Sequence, residues 1–495
     1  MFELLRREKL SLFWLIFHAG IGFASVSSKW VLIGWFYILL ISLIVEVFTR
    51  RTEGQMALIY FLGYAMGVEV LARGIKATPF IPDQMGKYLG VAMFGFGLAL
   101  GGPIKRLSLY GVGMLVLSLP ALAIAPEYTR AQIVFNYFGP LALFLGVIFC
   151  SRQIMTFVDF RGLVRIIIYS IFALACFAMF KAAEFEKIEY GLTANFESSG
   201  GKITNQVATL FGTGICLMLL MFITSQRLFR FKWMDLVVLS FLLVRGLLTF
   251  SRGGMGTVLL VVLAIIIFPK AKAVWQDNEI RFRQLRTGPL LIALLILAGS
   301  FYLINEYTDN FLLYRYQGKT QRSLQTGFDQ SVDIDQVTSG RYTILMSDIN
   351  MFIGNPAVGV GVGQSPMIRA EYGGPAGTAA HLEMTRLLAE HGIPGLVLVI
   401  MIYIYPFAMT GSEPNNYRRL IMLVFIITAL SATFHSAMRT MATPLLFAFA
   451  FINYVPSNFD WRSALAQTQM QARKVVPRKV GPRRRLGEAA PAPKS

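Results

Sequence analysis

Two arginines and a histidine carry the clearest chemical potential in this 495-residue sequence. Arg252 stands in a four-residue interruption, Ser251-Arg252-Gly253-Gly254, between two apolar runs. An arginine near a helix end ordinarily snorkels toward lipid headgroups. Here Gly253 and Gly254 let the backbone turn sharply and approach a ligand. Ser251 is placed to cap the following helix, whose first amides favour an anion. Arg245 falls on the same face of the preceding helix, and arginines inside a membrane usually face a partner or a wet cavity. The group suits a phosphate held at a membrane surface. Arg341 lies in the first turn of a helix expected to be capped near Thr338 or Ser339 and ended by Gly354 and Pro356. A cation there opposes the helix dipole unless an anion sits between them. His381 stands at the N-terminal end of a further helix, where the dipole favours the neutral imidazole that a general base needs.

Weaker groups surround these three. Glu383, Arg386 and Glu390 share one helical face and read as an ion-paired stripe. His381 lies about 200° from Glu383 on the same wheel, so the two form no dyad on one helix. His391, just before Gly392, reads as a helix-end residue. Glu69 and Arg73 are one turn apart, with Lys87 at the start of the next helix, and His435 and Arg439 have the same i, i+4 spacing. Each set is either a local ion or hydrogen-bond pair or the rim of a polar substrate site. Asp333-Ile334-Asp335 spells the D-x-D of some nucleotide-sugar enzymes, a three-residue match in an acidic loop and a weak signal. The run from Gly354 to Gln364 is not a G-x-G-x-x-G fingerprint and reads as a tight loop for close backbone packing. Cys150, Cys176 and Cys216 sit in apolar runs as small core residues, with neither a disulfide framework nor metal spacing. No metal site and no cofactor are expected.

The elements that position these residues are membrane helices. The chain is 55% hydrophobic and only 15% charged, with a mean hydropathy of +0.58, which excludes an ordinary soluble domain and indicates an all-α polytopic membrane protein. Its apolar runs suit about fourteen (12–14) crossings. No cleavable signal is evident, and the first run reads as a start-transfer helix. The net charge of +19 is a matter of topology before it is one of nucleic acid. With both termini in the cytoplasm, most of the 46 basic residues fall on the inner side, as the positive-inside rule requires. Residues 457–495 read as a disordered basic tail beside anionic membrane lipid. There is no nucleic-acid fold and no interleaving of aromatics with the basic run. The same threading puts Arg252 and one long segment, residues 305–392, on the outer face, where a site can be built. The organisation expected is N-terminal helices over 1–233 and a catalytic membrane region over 234–456. The outer loop at 180–206 is expected to be a flexible lid or surface loop.

Four motifs, in order and on one side, resemble the O-antigen ligase and polymerase superfamily of bacterial envelope enzymes. They are Ser251-Arg252-Gly253, Ser339-Gly340-Arg341, the N-P-x-x-G-x-G run from Asn355 to Gly361, and A-H-x-x-x-x-x-L-x-x-E-x-G from Ala380 to Gly392. The motif-bearing part spans about 234–406, and the N-terminal helices match in hydropathy. The resemblance implies a GT-C-like, inverting glycosyltransferase of the inner membrane, taking glycan from undecaprenyl diphosphate at the periplasmic face without nucleotide-sugar or obligatory metal. Arg252 and Arg341 would bind the diphosphate and His381 would orient or deprotonate the acceptor hydroxyl. Arg245, Glu69, Arg73, Lys87, Glu383, Arg386, His435 and Arg439 would contribute to substrate binding. The acceptor would be a second lipid-linked glycan (polymerase, favoured because nothing points to a lipid A site) or lipid A core (ligase), with a flippase and a chain-length regulator as further partners. Leu382 and Glu383 follow the histidine where many family members have Asn or Ser, which leaves acceptor recognition open. Glu383 would share the base role if the helix begins later than His381. A lipid-linked oligosaccharide flippase or other transporter is the alternative. It would show internal repeats and mid-membrane charges with short loops, against the long motif-bearing segment. A purely structural assembly component leaves the outer arginines unexplained.

Overall fold

The computed structural model describes residues 1–49, 51–101, 105–124, 130–182, 190–192, 194–201, 203–224, 226–267, 287–319, 338, 340–380 and 382–456. Helix α1 (Phe2–Arg6) leads through a single 3-10 turn into α2 (Ser11–Ser27) and α3 (Lys29–Thr49). Next come α4 (Arg51–Gly74), α5 (Met85–Ala99), α6 (Arg106–Ser118), the short α7 (Pro120–Ala123) and α8 (Arg130–Cys150). Strand β1 (Ile154–Thr156) precedes α9 (Phe157–Lys181), α10 (Thr204–Ile223), α11 (Lys232–Leu248), α12 (Arg252–Ile267) and α13 (Thr287–Tyr307). The long segment carries α14 (Phe311–Tyr316), α15 (Arg341–Gly354) and α16 (Ser365–Ile368). The chain then runs through α17 (Glu383–Tyr403), α18 (Tyr405–Ser412), α19 (Asn416–Thr433), α20 (Ala442–Phe449) and β2 (Asn453–Val455).

Long apolar runs fold this way because a helix satisfies every backbone group internally, the requirement of a lipid solvent. Helix α9 is the hub. It is buried around nearly its whole circumference, as expected of a helix apolar on all sides, and packs against α2, α4 and α10. Thr156 caps it, its hydroxyl accepting from the Asp159 amide at 3.1 Å. Small residues set the helix spacing: a Cβ on Gly67 would lie 2.6 Å from the Ser170 backbone carbon, so α4 and α9 touch nearly backbone to backbone. All three cysteines are free and buried, as their apolar surroundings suggest.

Among the described residues, eight helices are long and apolar enough to cross a membrane, consistent with an all-α polytopic membrane protein. Met85–Ala99, Arg252–Ile267 and Leu294–Tyr307 are apolar but shorter, and the last run, 442–456, divides into the eight-residue α20 and strand β2. Nor is the chain wholly helical: β1 and β2 pair in parallel, Met155 opposite Tyr454. That pairing fastens the end of the described chain to the α8–α9 connection, which is why the last apolar run stops being a helix.

Contacts sort the connections to two opposite ends of the bundle. At one end Arg6 meets Asp159 at 2.5 Å, Arg165 donates to the Leu228 carbonyl at 2.6 Å, and β1 meets β2. At the other, Arg73 donates to Gln206 Oε1 at 2.7 Å, Lys87 to the Phe135 carbonyl at 2.6 Å, and Ser251 Oγ to Asn205 Oδ1 at 3.2 Å. The residues singled out for chemistry gather at this second end. The basic tail at 457–495 and Asp333-Ile334-Asp335 lie outside the described residues.

Candidate functional site

The turn between α11 and α12 sets the first arginine. Thr249 Oγ1 donates to the Gly246 carbonyl at 2.7 Å and accepts the Ser251 amide at 3.2 Å. Phe250 has φ +53°, a left-handed conformation that a bulky side chain rarely adopts and that its surroundings must hold. Arg315 of α14 holds it, donating from Nε to the Phe250 carbonyl and from a terminal nitrogen to the Leu192 carbonyl. Arg252, the first residue of α12, follows directly.

This turn revises two expectations, on Gly253-Gly254 and on Arg245. Gly253 and Gly254 serve packing rather than ligand approach: a Cβ on Gly253 would overlap the His435 ring, and one on Gly254 would lie 2.6 Å from the Ala208 carbonyl carbon. The Ser251 hydroxyl donates to Asn205. Arg245 is only 2% exposed and donates to the Ser198 carbonyl, because the left-handed Phe250 breaks the helical period that would have put it beside Arg252. The Ser198 it reaches belongs to residues 194–201, where Asn195, Ser198 and Ser199 are buried against the end of α11. The described part of the 180–206 loop is therefore packed in place.

Arg341 is the first residue of α15, after Gly340 at φ +77°. The N-cap is Gly340, with no side-chain cap bond, rather than Thr338 or Ser339, although the Tyr342 amide donates to Thr338 Oγ1 at 3.2 Å. Arg341 is half-buried and makes no hydrogen bond or ion pair among the described residues. Its pKa is lowered first by burial, then by the like charges of Arg252 and Arg439. Arg315 is pushed down to about 10 by burial, then by Arg252 and Arg341. Four arginines from separate segments thus converge closely enough to oppose one another electrostatically.

The extramembrane helices are locked by a buried ion pair. Arg369 meets Asp348 at 2.8 Å with neither side chain exposed. Arg369 also donates to the Ile344 and Thr378 carbonyls, at 3.0 and 3.1 Å, and Thr385 Oγ1 donates to Asp348 Oδ2 at 2.8 Å. This network ties α15, which carries Arg341, to the start of α17. The Gly-rich run from Gly354 to Gln364 does what a tight loop should. Gly392 has φ +61° and kinks α17, and the loop fills the notch. The Val360 amide donates to the Ala389 carbonyl at 2.9 Å, and the Ile393 amide to the Pro356 carbonyl at 2.7 Å. Carbonyls freed by the kink are thereby satisfied.

The ion-paired stripe on α17 is real and buried. Arg386 pairs with Glu383 and, at 2.8 Å, with Glu390, whose other oxygen accepts from Ser365 at 2.9 Å. Glu383 Oε2 also accepts the Met438 amide at 3.3 Å. Helix α17 begins at Glu383 rather than before it, the condition under which Glu383 would share the base role, yet both its oxygens are already engaged. His381 lies outside the described residues, while Ala379, Ala380 and Glu383 line a cavity with about 290 Å³ of empty space, part of it open solvent. Lys87, Asn136, Arg386 and Arg439 complete its polar wall. Lys87 donates to Phe135 O at 2.6 Å and sits 4.4 Å from the Phe135 ring centre. Arg439 donates to the Ala379 and Ala380 carbonyls, so it stands between the cavity and Arg341.

Glu69 and Arg73 pair at 2.5 Å as spaced but form a brace rather than a rim. Glu69 accepts the Met441 amide at 2.8 Å, and Arg73 reaches the carbonyls of Asp83 and Arg439. His435 and Arg439 are not a helical pair, because α19 ends at Thr433. The buried His435 ring lies against Thr209 Oγ1 at 2.7 Å and the Ser431 carbonyl at 3.1 Å. Burial first, then Arg341, lowers its pKa to about 4, so it is neutral with both nitrogens engaged. His391 is likewise buried within the bundle. Among the described residues no three His, Cys, Asp or Glu side chains are grouped to hold a metal ion.

Residues 236–400 match the family described as O-antigen ligase. That O-antigen ligase stretch runs from α11 into α17 and contains Arg252, Arg315 and Arg341, three of the four arginines that come together in space. It supports the O-antigen ligase/polymerase superfamily and, with the apolar helices, a multi-pass membrane enzyme of the glycosyltransferase-like kind. Such enzymes take a lipid-linked glycan and an acceptor. Glu69, Lys87, His435 and Arg439 lie outside the matched stretch. No curated protein matches the chain.

Proposed function

We propose that this protein transfers glycan from undecaprenyl diphosphate to an acceptor hydroxyl at the periplasmic face of the bacterial inner membrane. The observation that carries this reading is the convergence of Arg252, Arg315, Arg341 and Arg439, whose charges oppose one another and which an anion would relieve. Arg252 and Arg341 grip the donor diphosphate. Their fixed positive charge stabilises the charge that develops as the bond between the anomeric carbon and the diphosphate oxygen breaks. His381 takes the proton from the acceptor hydroxyl, whose oxygen forms the new bond to the anomeric carbon from the opposite side, with inversion. The adjoining cavity, with Lys87 and Arg439 as donors and Glu383 as acceptor, receives the acceptor sugar. The reading invokes no nucleotide-sugar and no metal.

The positive-inside bias supports cytoplasmic termini and a periplasmic site. Counting the shorter helices α5, α11, α12 and α13 with the eight long ones gives the GT-C-like bundle 12 crossings, the lower end of the expected 12–14. We favour a polymerase over a ligase, working with a flippase and a chain-length regulator. The test is to replace Arg252, Arg341 and His381 singly by alanine and run the envelope glycans on a gel. Loss of the whole ladder, with single capped units surviving, indicates a polymerase. Polymer retained on undecaprenyl diphosphate indicates a ligase. Normal glycans from three stably expressed variants would refute the site.

A further inference from the structure

Among the described residues, only one face of α15 is packed against the protein. Ile344, Ser347, Asp348 and Met351 are buried against α17 and the 3-10 turn that begins with Arg369. On the opposite side stand Tyr342, Met346, Ile349 and Ile353, within about 60° of one another on a helix of 3.6 residues per turn. Tyr342, Met346 and Ile353 are exposed, the last at 68%, and Ile349 is half-buried. Leu345 and Phe352 widen this face on one side. No charged residue falls on it. The charges of α15 are Arg341, at its first position, and Asp348, on the buried side. A helix that meets water carries polar residues on its outer face, and a contiguous apolar face left open marks an interaction surface.

What covers this face follows from where the two ends of α15 are held. At its start, Arg341 is close enough to feel the charge of Arg252, the first residue of the apolar helix α12. Just past its end, the Pro356 carbonyl accepts the Ile393 amide at 2.7 Å. Ile393 opens the stripe Ile393, Leu396, Val397 and Ile400, exposed along the crossing part of α17 and therefore turned to lipid. With each end held at the end of an apolar helix, α15 lies along the membrane surface for its length of about 21 Å. Its open face ends beside the start of a lipid-facing stripe. We propose that α15 is an interfacial helix whose charge-free face docks into the phospholipid of the bilayer surface. Tyr342 suits headgroup depth, where tyrosine is enriched, and Met346, Ile349 and Ile353 suit the acyl boundary below it. One consequence rests on the donor reading given above: docking holds Arg341 at the depth of a diphosphate carried by a membrane lipid.

The full-length protein is placed in nanodiscs of phosphatidylethanolamine and phosphatidylglycerol, without glycan substrate. Nitroxides are attached at Met346→Cys, Ile353→Cys, Ile400→Cys and Glu371→Cys, the three native cysteines being buried. Collisions with oxygen and with a water-soluble nickel chelate report immersion. Ile400, on the lipid-facing stripe, sets the membrane reading, and the exposed Glu371 sets the aqueous one. Labels at Met346 and Ile353 are expected about 5–10 Å into the headgroup–acyl boundary, favouring oxygen as Ile400 does. Readings equal to that at Glu371 overturn the proposal. Protection from both oxygen and chelate means that a second copy of the chain covers the face, and also overturns it. Should the variants fail to fold, a diazirine phospholipid is photolysed with the unaltered protein. Adducts on Met346 or Ile353 support docking, and adducts on Leu396 and Ile400 with none on α15 refute it. Neither measurement needs a substrate, so failure here leaves the donor reading standing, and normal glycans from Arg341→Ala would count against that reading alone.

Discussion

Replacing Arg315 tests whether the site depends on a residue that need not touch substrate. Its guanidinium donates to the carbonyls of Phe250 and Leu192, and Phe250 is the left-handed residue two positions before Arg252. Without those bonds, nothing described on the α14 side opposes relaxation of the turn. Hydrogen bonds from a charged donor contribute about 1.5–3 kcal/mol each. Arg315 is partly exposed, so a discounted sum of about 2–3 kcal/mol is appropriate. Expressed fully at the reacting centre, that is a loss of about 30- to 150-fold in kcat/KM. The assay is transfer from a purified lipid-diphosphate glycan, with kcat and KM measured separately for Arg315→Ala and Arg315→Lys. Lysine keeps the charge but not the two-pronged geometry, so both variants should lose most of the rate. Full activity in Arg315→Ala would refute the positioning role. Full rescue by Arg315→Lys would show that the charge, not the clamp on Phe250, is what matters.

Three further outcomes follow from buried groups. His435 has a folded pKa of about 4, below its ordinary value, so the unfolded chain binds the extra proton and stability falls as pH drops from about 6.5 toward 4. His435→Gln should flatten that acid limb in thermal unfolding followed against pH, and an unaltered slope would contradict it. Gly392→Ala places a Cβ 2.5 Å from the Pro356 carbonyl oxygen at φ +61° and should lower stability by about 1–3 kcal/mol, read as a drop in melting temperature. Arg369→Ala strands Asp348 uncompensated in the core and should destabilise by about 3–5 kcal/mol, exposing α15 and α16 to limited proteolysis, whereas Arg369→Ala combined with Asp348→Ala should recover part of the loss.

What could be read from the sequence was whatever depends on neighbours along the chain. Apolar runs gave the helices, Gly354 and the glycines after it the tight loop, and the spacing of Glu383, Arg386 and Glu390 the paired stripe. Readings that extended a helical period past a helix end went astray. Arg245 and Arg252 do not share a face because Phe250 adopts a left-handed conformation that Arg315, distant in sequence, helps to stabilise. His435 and Arg439 do not pair because α19 has ended. Arg315, the Arg369–Asp348 lock and the β1–β2 pairing left no local signal, since each is defined by a partner far along the chain. The glycines beside Arg252 were rightly marked as sites of close approach, but what approaches is His435 and α10.

The distribution of charge explains why these arginines belong to different classes. Glu69, Asp348, Glu383 and Glu390 are each at most 1% exposed, and each meets an arginine: Arg73, Arg369 and, for the last two, Arg386. A buried charge so paired is neutralised and held rigid, and these pairs brace α4 and α17 against the turn at 434–441 and α15 against the start of α17. Arg315 and Arg341 are instead lowered by burial and then by neighbouring arginines, Arg252 and Arg341 for the first and Arg252 and Arg439 for the second. Like charges gathered in a half-buried place hold repulsion that a ligand of opposite sign releases. A neutral sugar would gain nothing from that arrangement, whereas a diphosphate gains most as its charge grows in the transition state. The cavity beside Arg439 has both signs and backbone carbonyls, which suits hydroxyl groups rather than an anion. On the proposed reading the arginines take the leaving group and the cavity the acceptor, an arrangement that glycosyl transfer requires and transport of an intact lipid-linked glycan does not.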